Sequence, residues 1–180
     1  KRLSESFLTN TKNYIQNDLK KDGFLNSQVN IVSTPDSIGS NKRNLNINVN
    51  RGERIKIKNI SFSGNEIFKD GKLKSKLKKT KKKFPLRFWK KSKLIESDYE
   101  ADKEGLISFY KEKGYRDARI EFDTIIINDE KTIDIALSVD EGSKYYFGDI
   151  NYIGNSSYTD FQLDQILGIK SGDSYNGVLL

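Results

Sequence analysis

Four carboxylates at alternate positions, Asp98, Glu100, Asp102 and Glu104, are the residues of this 180-residue chain whose type and spacing most suggest chemistry, either a metal cradle or an acid–base pair. Nothing else in the sequence supports that chemistry. There is no cysteine, histidine or methionine, so thiolate and imidazole ligands are missing and a nucleophile cannot be paired with an imidazole base. The four acids follow Ser97 in the order Ser-Asp-Tyr-Glu, which predicts a capping box with acidic side chains stabilising the first turn of a helix. Gly168-Ile-Lys-Ser-Gly has glycine and lysine in the wrong order for a phosphate-binding loop. The chain is therefore read as a non-enzyme, with no catalytic residue, no metal and no cofactor.

A second chemical signal is charge. Residues 69–93 contain thirteen basic side chains and one acidic one, Asp70, so this stretch supplies the whole of the formal net charge of +7 and the rest of the chain is net acidic. Within this stretch Lys81, Lys82, Lys83, Arg87, Phe88, Trp89, Lys90 and Lys91 interleave cations with aromatic rings. Such a segment suits anionic lipid headgroups, with Trp89 at the interface. It also suits single-stranded nucleic acid through phosphate contacts and stacking. A third reading has the aromatic rings packing back on the fold while the lysines stay solvated.

The elements that carry these residues recur. Gly23-Phe24 returns as Gly114-Tyr115, Gly52 as Gly142, and Ile60-x-Phe-x-Gly-Asn65 as Ile150-x-Tyr-Ile-Gly-Asn155, at spacings of 90 or 91 residues. A fixed period of this kind marks a tandem array, whose usual role is to present surfaces to partners. It divides the chain into the end of one copy (1–51), a complete copy (52–142) and the start of a third (143–180). The chain is thus expected to be part of a longer one. No apolar run approaches the roughly 18 residues of a membrane-spanning helix.

Within the complete copy, residues 54–62 read as a strand in which the apolar phase slips from Ile55 and Ile57 to Ile60 and Phe62, the mark of a bulge; Tyr145, Phe147, Ile150 and Tyr152 repeat it. Gly64-Asn65 and Gly154-Asn155 turn the chain into a short helix, carrying Leu73 and Leu77 in the complete copy. A second helix with Tyr99, Leu106, Phe109 and Tyr110 near one face closes at Gly114. Two strands follow, with Ile120, Phe122 and Ile126 on one face of the first and Ile133, Ile135, Leu137 and Val139 on one face of the second. The first copy ends similarly, with Val29 and Ile31, then Leu45, Ile47 and Val49. Each copy is therefore an α+β unit of order β-α-α-β-β, a three-stranded sheet covered on one face by two helices.

This order, with Gly64-Asn65, Gly154-Asn155 and Tyr110-Lys-Glu-Lys-Gly114-Tyr115, resembles the polypeptide-transport-associated (POTRA) domain. Residues 87–99 look more specifically like the middle POTRA domains of Bacteroidota assembly factors of the BamA group. The resemblance implies a mixed sheet and a periplasmic arm that receives unfolded outer-membrane proteins, contacts accessory assembly subunits and is attached to a membrane β-barrel elsewhere in the protein. Related translocation and secretion transporters carry the same domain and remain an alternative. A basic nucleic-acid-binding module is a further one, disfavoured by the repeat and the localised charge.

Family topology puts the third strand of each copy in the centre. It therefore exposes Arg119, Ile120, Glu121, Phe122, Asp123 and Thr124, and in the first copy Gln28, Val29, Asn30 and Ile31, as edges to which an extended partner could add. The anionic membrane surface is a further candidate partner for the basic segment. Gly64, Asn65, Gly114, Tyr115, Gly154 and Asn155 are read as structural. Asp36-Ser37-Ile38 and Asp123-Thr124-Ile125 match the short O-glycosylation pattern of Bacteroidota periplasmic proteins.

Overall fold

The computed structural model describes residues 4–36, 42–81 and 93–178. In chain order the elements are α1 (Glu5–Lys21), β1 (Gln28–Pro35), β2 (Arg43–Asn50), β3 (Lys56–Ser63), α2 (Asp70–Lys76), α3 (Glu96–Glu112), β4 (Arg119–Ile127), β5 (Thr132–Asp140) and α4 (Asp160–Leu167). Antiparallel β1 and β2 form one sheet, with Val29 opposite Val49 and Ile31 opposite Ile47. The other sheet has the order β3-β5-β4, which places the strand of residues 133–139 in the centre, as the family topology implies. No helix among the described residues is long and apolar enough to cross a membrane.

Two compact units form. The first comprises Lys1–Ile60, Lys78–Ala101 and Ile125–Ile135. Its buried apolar side chains are Val29, Ile55, Ile57, Ile60, Leu94, Tyr99, Ile133 and Ile135. The slip in the apolar phase of β3 is real: Ile57 and Ile60 are buried and the two residues between them, Lys58 and Asn59, are exposed. At the end of α1, Gly23 takes φ +86°, and the N–H groups of Gly23 and Phe24 donate to the carbonyls of Lys20 (2.8 Å) and Leu19 (2.9 Å). This is a Schellman closure. The Gly23 carbonyl accepts from Ile55 N–H at 2.9 Å, and Phe24 lies beneath the Arg54 guanidinium, 4.7 Å from the ring centroid. Asn26 Nδ2 adds a bond to the Glu130 carbonyl at 2.7 Å.

The second unit comprises Ser61–Leu77, Asp102–Thr124 and Ala136–Leu180. Its core gathers Leu73, Leu106, Phe109, Tyr110, Tyr115, Ala118 and Val139, with Phe62, Phe68 and Ile120 packed against them. Phe68 is the hub, with its ring centroid 4.9 Å from Phe109, 5.3 Å from Tyr110 and 5.8 Å from Tyr115 in tilted or edge-on contacts. The turn leading to it demands glycine at position 64: φ is +74°, and a Cβ there would lie 2.2 Å from the Val139 carbonyl oxygen. Asn65 Nδ2 then donates to the Phe68 carbonyl (2.8 Å) and to Asp70 Oδ1 (3.1 Å). Asn155 makes the same pair of bonds, to Tyr158 (3.3 Å) and Asp160 (2.6 Å). Burial alone would push the Asp70 carboxyl up, but the bonds from Asn65 and Lys74 hold it below the usual carboxylate range.

Closure of α3 repeats that of α1, with Gly114 N–H donating to Lys111 (3.2 Å), Tyr115 N–H to Tyr110 (3.0 Å), and the Gly114 carbonyl accepting from Tyr145 N–H (2.9 Å). The Arg116 guanidinium sits 4.3 Å from the Tyr145 ring centroid, and Asp117 accepts from both Tyr145 Oη and Arg116 Nε. Those bonds, Tyr145 first, hold the Asp117 carboxyl below its ordinary range.

Two expectations need correction. The helix opens at Glu96, so Ser97 lies within its first turn instead of capping it. Residues 145–152 repeat the burial rhythm of β3 but form only an isolated bridge, between Tyr146 and Ser174. A strand requires a ladder partner along its length; β3 has β5, whereas residues 172–175 bond only to Tyr145 and Phe147 and the pairing does not continue to residue 152.

One buried contact ties the second unit together. The Glu141 carboxylate, 6% exposed, accepts from Ile67 N–H (2.7 Å), Phe68 N–H (3.3 Å) and Tyr110 Oη (2.8 Å). Burial, reinforced by that bond, pushes the Tyr110 hydroxyl well above the usual tyrosine range. Glutamine at 141 would turn an NH2 group toward a donor, so Glu141→Gln is expected to cost about 1–3 kcal/mol, read as a lower urea midpoint at unchanged slope. An unchanged midpoint would remove Glu141 from any structural role.

The Asp117 contact has a pH signature. Its folded pKa is depressed, so its contribution is present above the unfolded value and lost as pH falls through the folded one. Tyr145→Phe deletes the largest cause and is expected to raise the Asp117 pKa measured by carboxyl NMR; an unmoved titration would show that the hydroxyl does not reach it.

Candidate functional site at the open sheet edge

Because β5 is paired on both sides, β4 is left with one neighbour, and its other side carries no strand among the described residues. An edge of this kind offers main-chain N–H and C=O groups to any extended segment. Arg119, Glu121, Phe122 and Thr124 are exposed and Ile120 and Asp123 half-buried. The expected apolar face of β4 is only partly realised: Ile120 packs against the core, whereas Phe122 is 62% and Ile126 50% exposed.

α3 and this edge border an open groove of about 460 Å³. Lys103, Ile107 and Lys111 line one wall and Ile120, Phe122 and Asp123 the other. Lys103 Nζ and Asp123 Oδ2 meet across it at 3.0 Å, and both are largely withdrawn from solvent. At the start of the strand, Arg119 is held by Asp140 of β5 at 2.5 Å and lies 3.6 Å from Glu121. The site thus combines a main-chain edge, an exposed aromatic ring and an open groove lined by both apolar and charged side chains. It can hold an extended chain along β4 while alternate side chains enter the groove.

The structure brings residues 119–124 together with a helix stripe that sequence reasoning missed. Lys103, Ile107 and Lys111 recur at intervals of four, and that spacing was the available signal. Gln28, Val29, Asn30 and Ile31 lie on β1, whose only partner among the described residues is β2; Val29 is buried and Gln28 and Asn30 are exposed. The alternating carboxylates do not converge: Asp98 pairs with Lys79 at 2.8 Å, Asp102 is buried, and no cluster suited to a metal ion occurs among the described residues. Lys81 is half-buried. Lys82, Lys83, Arg87, Phe88, Trp89, Lys90, Lys91 and Ser37 lie outside the described residues, whereas Thr124 lies on β4.

Comparison with known proteins agrees with this architecture. The POTRA family model, described as the surface antigen variable number repeat, matches residues 55–142 and 145–180. The outer membrane protein assembly factor BamA of Neisseria meningitidis serogroup B is 27% identical over 176 residues, covering 96% of this chain and 22% of that protein. A putative outer membrane protein assembly factor of Treponema pallidum is 30% identical over 136 residues, covering 72% of this chain and 16% of that protein. The chain therefore spans about a fifth of the length of these relatives. A crystal structure of Haemophilus influenzae BamA POTRA3-5 superposes with a TM-score of 0.51 at 21% identity, over 92% of this chain and 65% of that one, a likeness of fold. With the repeated glycine turns, the central β5 and a family match over most of its length, this chain belongs to the POTRA family.

Proposed function

We infer that this chain is a periplasmic segment of an outer-membrane protein assembly factor, and that it binds unfolded outer-membrane proteins as extended strands added to β4. The observation that carries the reading is the unpaired side of β4 beside the groove shared with α3. Strand addition draws its affinity from main-chain hydrogen bonds, which suits a receiver of many sequences. The role is binding, not catalysis. The names of the relatives support the setting, and the two stretches matched by the family model support a division into copies at 52–142 and 143–180, with 1–51 the end of an earlier one. Accessory assembly subunits are proposed to use the same kind of edge, with β1 as the second one available.

Of two adjacent residues in an edge strand, one N–H faces the sheet and the next faces out. Proline at the outward position removes a donor that the guest needs and the fold does not. Of Glu121→Pro and Phe122→Pro, one is therefore expected to keep its circular dichroism and lose roughly fivefold or more in affinity for an extended outer-membrane-protein peptide, the equivalent of one main-chain bond. Glu121→Ala should change affinity little. Titration of the whole chain followed by amide chemical shifts is the measurement. Shifts confined to helices with residues 119–124 silent, or a folded proline variant that binds like the parent, would end the strand-addition reading.

A further inference from the structure

Two helix–strand pairs match position for position at an offset of 91 residues. Helix α1, Glu5–Lys21, corresponds to α3, Glu96–Glu112, and Gln28 at the start of β1 corresponds to Arg119 at the start of β4. At this offset Lys12 corresponds to Lys103, Val29 to Ile120 and Val32 to Asp123. Each pair borders an open groove, with Lys12, Gln16 and Val29 in the lining of one and Lys103, Ile107 and Ile120 in the lining of the other. The lysine therefore stands at the same place in both.

Its surroundings differ. Lys103 is held by Asp123 of its own edge strand at 3.0 Å. In the place of Asp123, β1 has Val32, which is exposed, and neither β1 nor β2 contains an acidic residue. The helix does not make up for this: the residues three and four positions from Lys12 on α1 are Leu8, Thr9, Ile15 and Gln16. Lys12 is exposed and forms no ion pair among the described residues. The other polar side chains lining its groove of about 560 Å³ are the amides of Gln16, Gln28, Asn30, Asn48 and Asn50. Amides donate and accept hydrogen bonds but bring no charge, so this groove has one positive charge and no negative one.

The two open edges differ in the same sense. Glu121 and Asp123 put negative charge on β4, which disfavours an acidic residue directly opposite, whereas β1 has Gln28 and Asn30 at those places and repels neither sign. A strand added to β1 would lie about 4.8 Å from it, with every second side chain on one face. One cation among amides is too little for a phosphate backbone or a membrane surface, which are held by several. We propose that β1 takes an extended partner segment bearing a carboxylate that pairs with Lys12, as Asp123 pairs with Lys103, and that β1 and β4 thereby select different guests. The proposal rests on the strand-addition reading and specifies the partner of the second edge.

The test uses the whole chain and peptides of one alternating Thr-Val sequence that differ only in carrying Glu, Gln or Lys at alternate central positions. Amide shifts of residues 28–31 and of residues 119–124 are followed separately during titration. At β1 the Glu peptide is expected to bind roughly threefold more tightly than the Gln peptide, and the Lys peptide more weakly still, with the differences shrinking at high salt. Lys12→Glu is expected to reverse that order at β1 and to leave the order at β4 as it was. Val32→Asp, which gives Lys12 the partner that Lys103 has, is expected to abolish the preference with circular dichroism unchanged. Equal binding of the peptides at β1, an order that Lys12→Glu does not alter, or silence of residues 28–31 with every peptide would each overturn the proposal. Shifts at residues 119–124 in the same titration decide strand addition at β4 by themselves, so a failure confined to β1 leaves that reading standing.

Discussion

A recurring main-chain hydrogen bond runs from the segment that precedes each Gly-Asn turn to the carbonyl of the glycine that ends the preceding long helix. It occurs twice with the same length, 2.9 Å, from Ile55 to Gly23 and from Tyr145 to Gly114. Each glycine has positive φ, which ends the helix in a Schellman closure and aims its carbonyl at the next copy. The side chains around the bond differ: Arg54 over Phe24 at one joint, Arg116 over Tyr145 with Asp117 at the other. Backbone geometry supplies the common joint and side chains reinforce it locally.

The exposed edge follows from the same geometry. The chain leaves the helix at Gly114 and reaches β4 four residues after Tyr115, before β5 has formed the centre of the sheet. Because the central position goes to the last strand, the earlier one is left outside. Arg119, Glu121 and Asp123 place charge at every second position of that edge, which discourages indiscriminate pairing, while Phe122 and the groove beside it are what the proposed guest strand would hold.

Within one chain, the copies act as controls on each other. The Asn-Asp turn bonds appear in both copies that contain the turn, so they belong to the domain. The Glu141 contact does not generalise, because Arg51 occupies the equivalent place in the first copy. It is a local solution that fastens the loop of Ile67 and Phe68 to Tyr110.

The order of elements, the repeat, the glycine turns and the slip of the apolar phase between Ile57 and Ile60 were determined by the sequence alone, because each depends on local backbone preference or on a short apolar period. Pairing was not local. That residues 145–152 lack a strand, that Phe122 is exposed while Ile120 is buried, and that Lys103, Ile107 and Lys111 face the edge of β4 were decided only in three dimensions. A strand exists only where another chain segment supplies its hydrogen bonds, and a side chain is buried only where another element covers it; both partners lie far away in sequence.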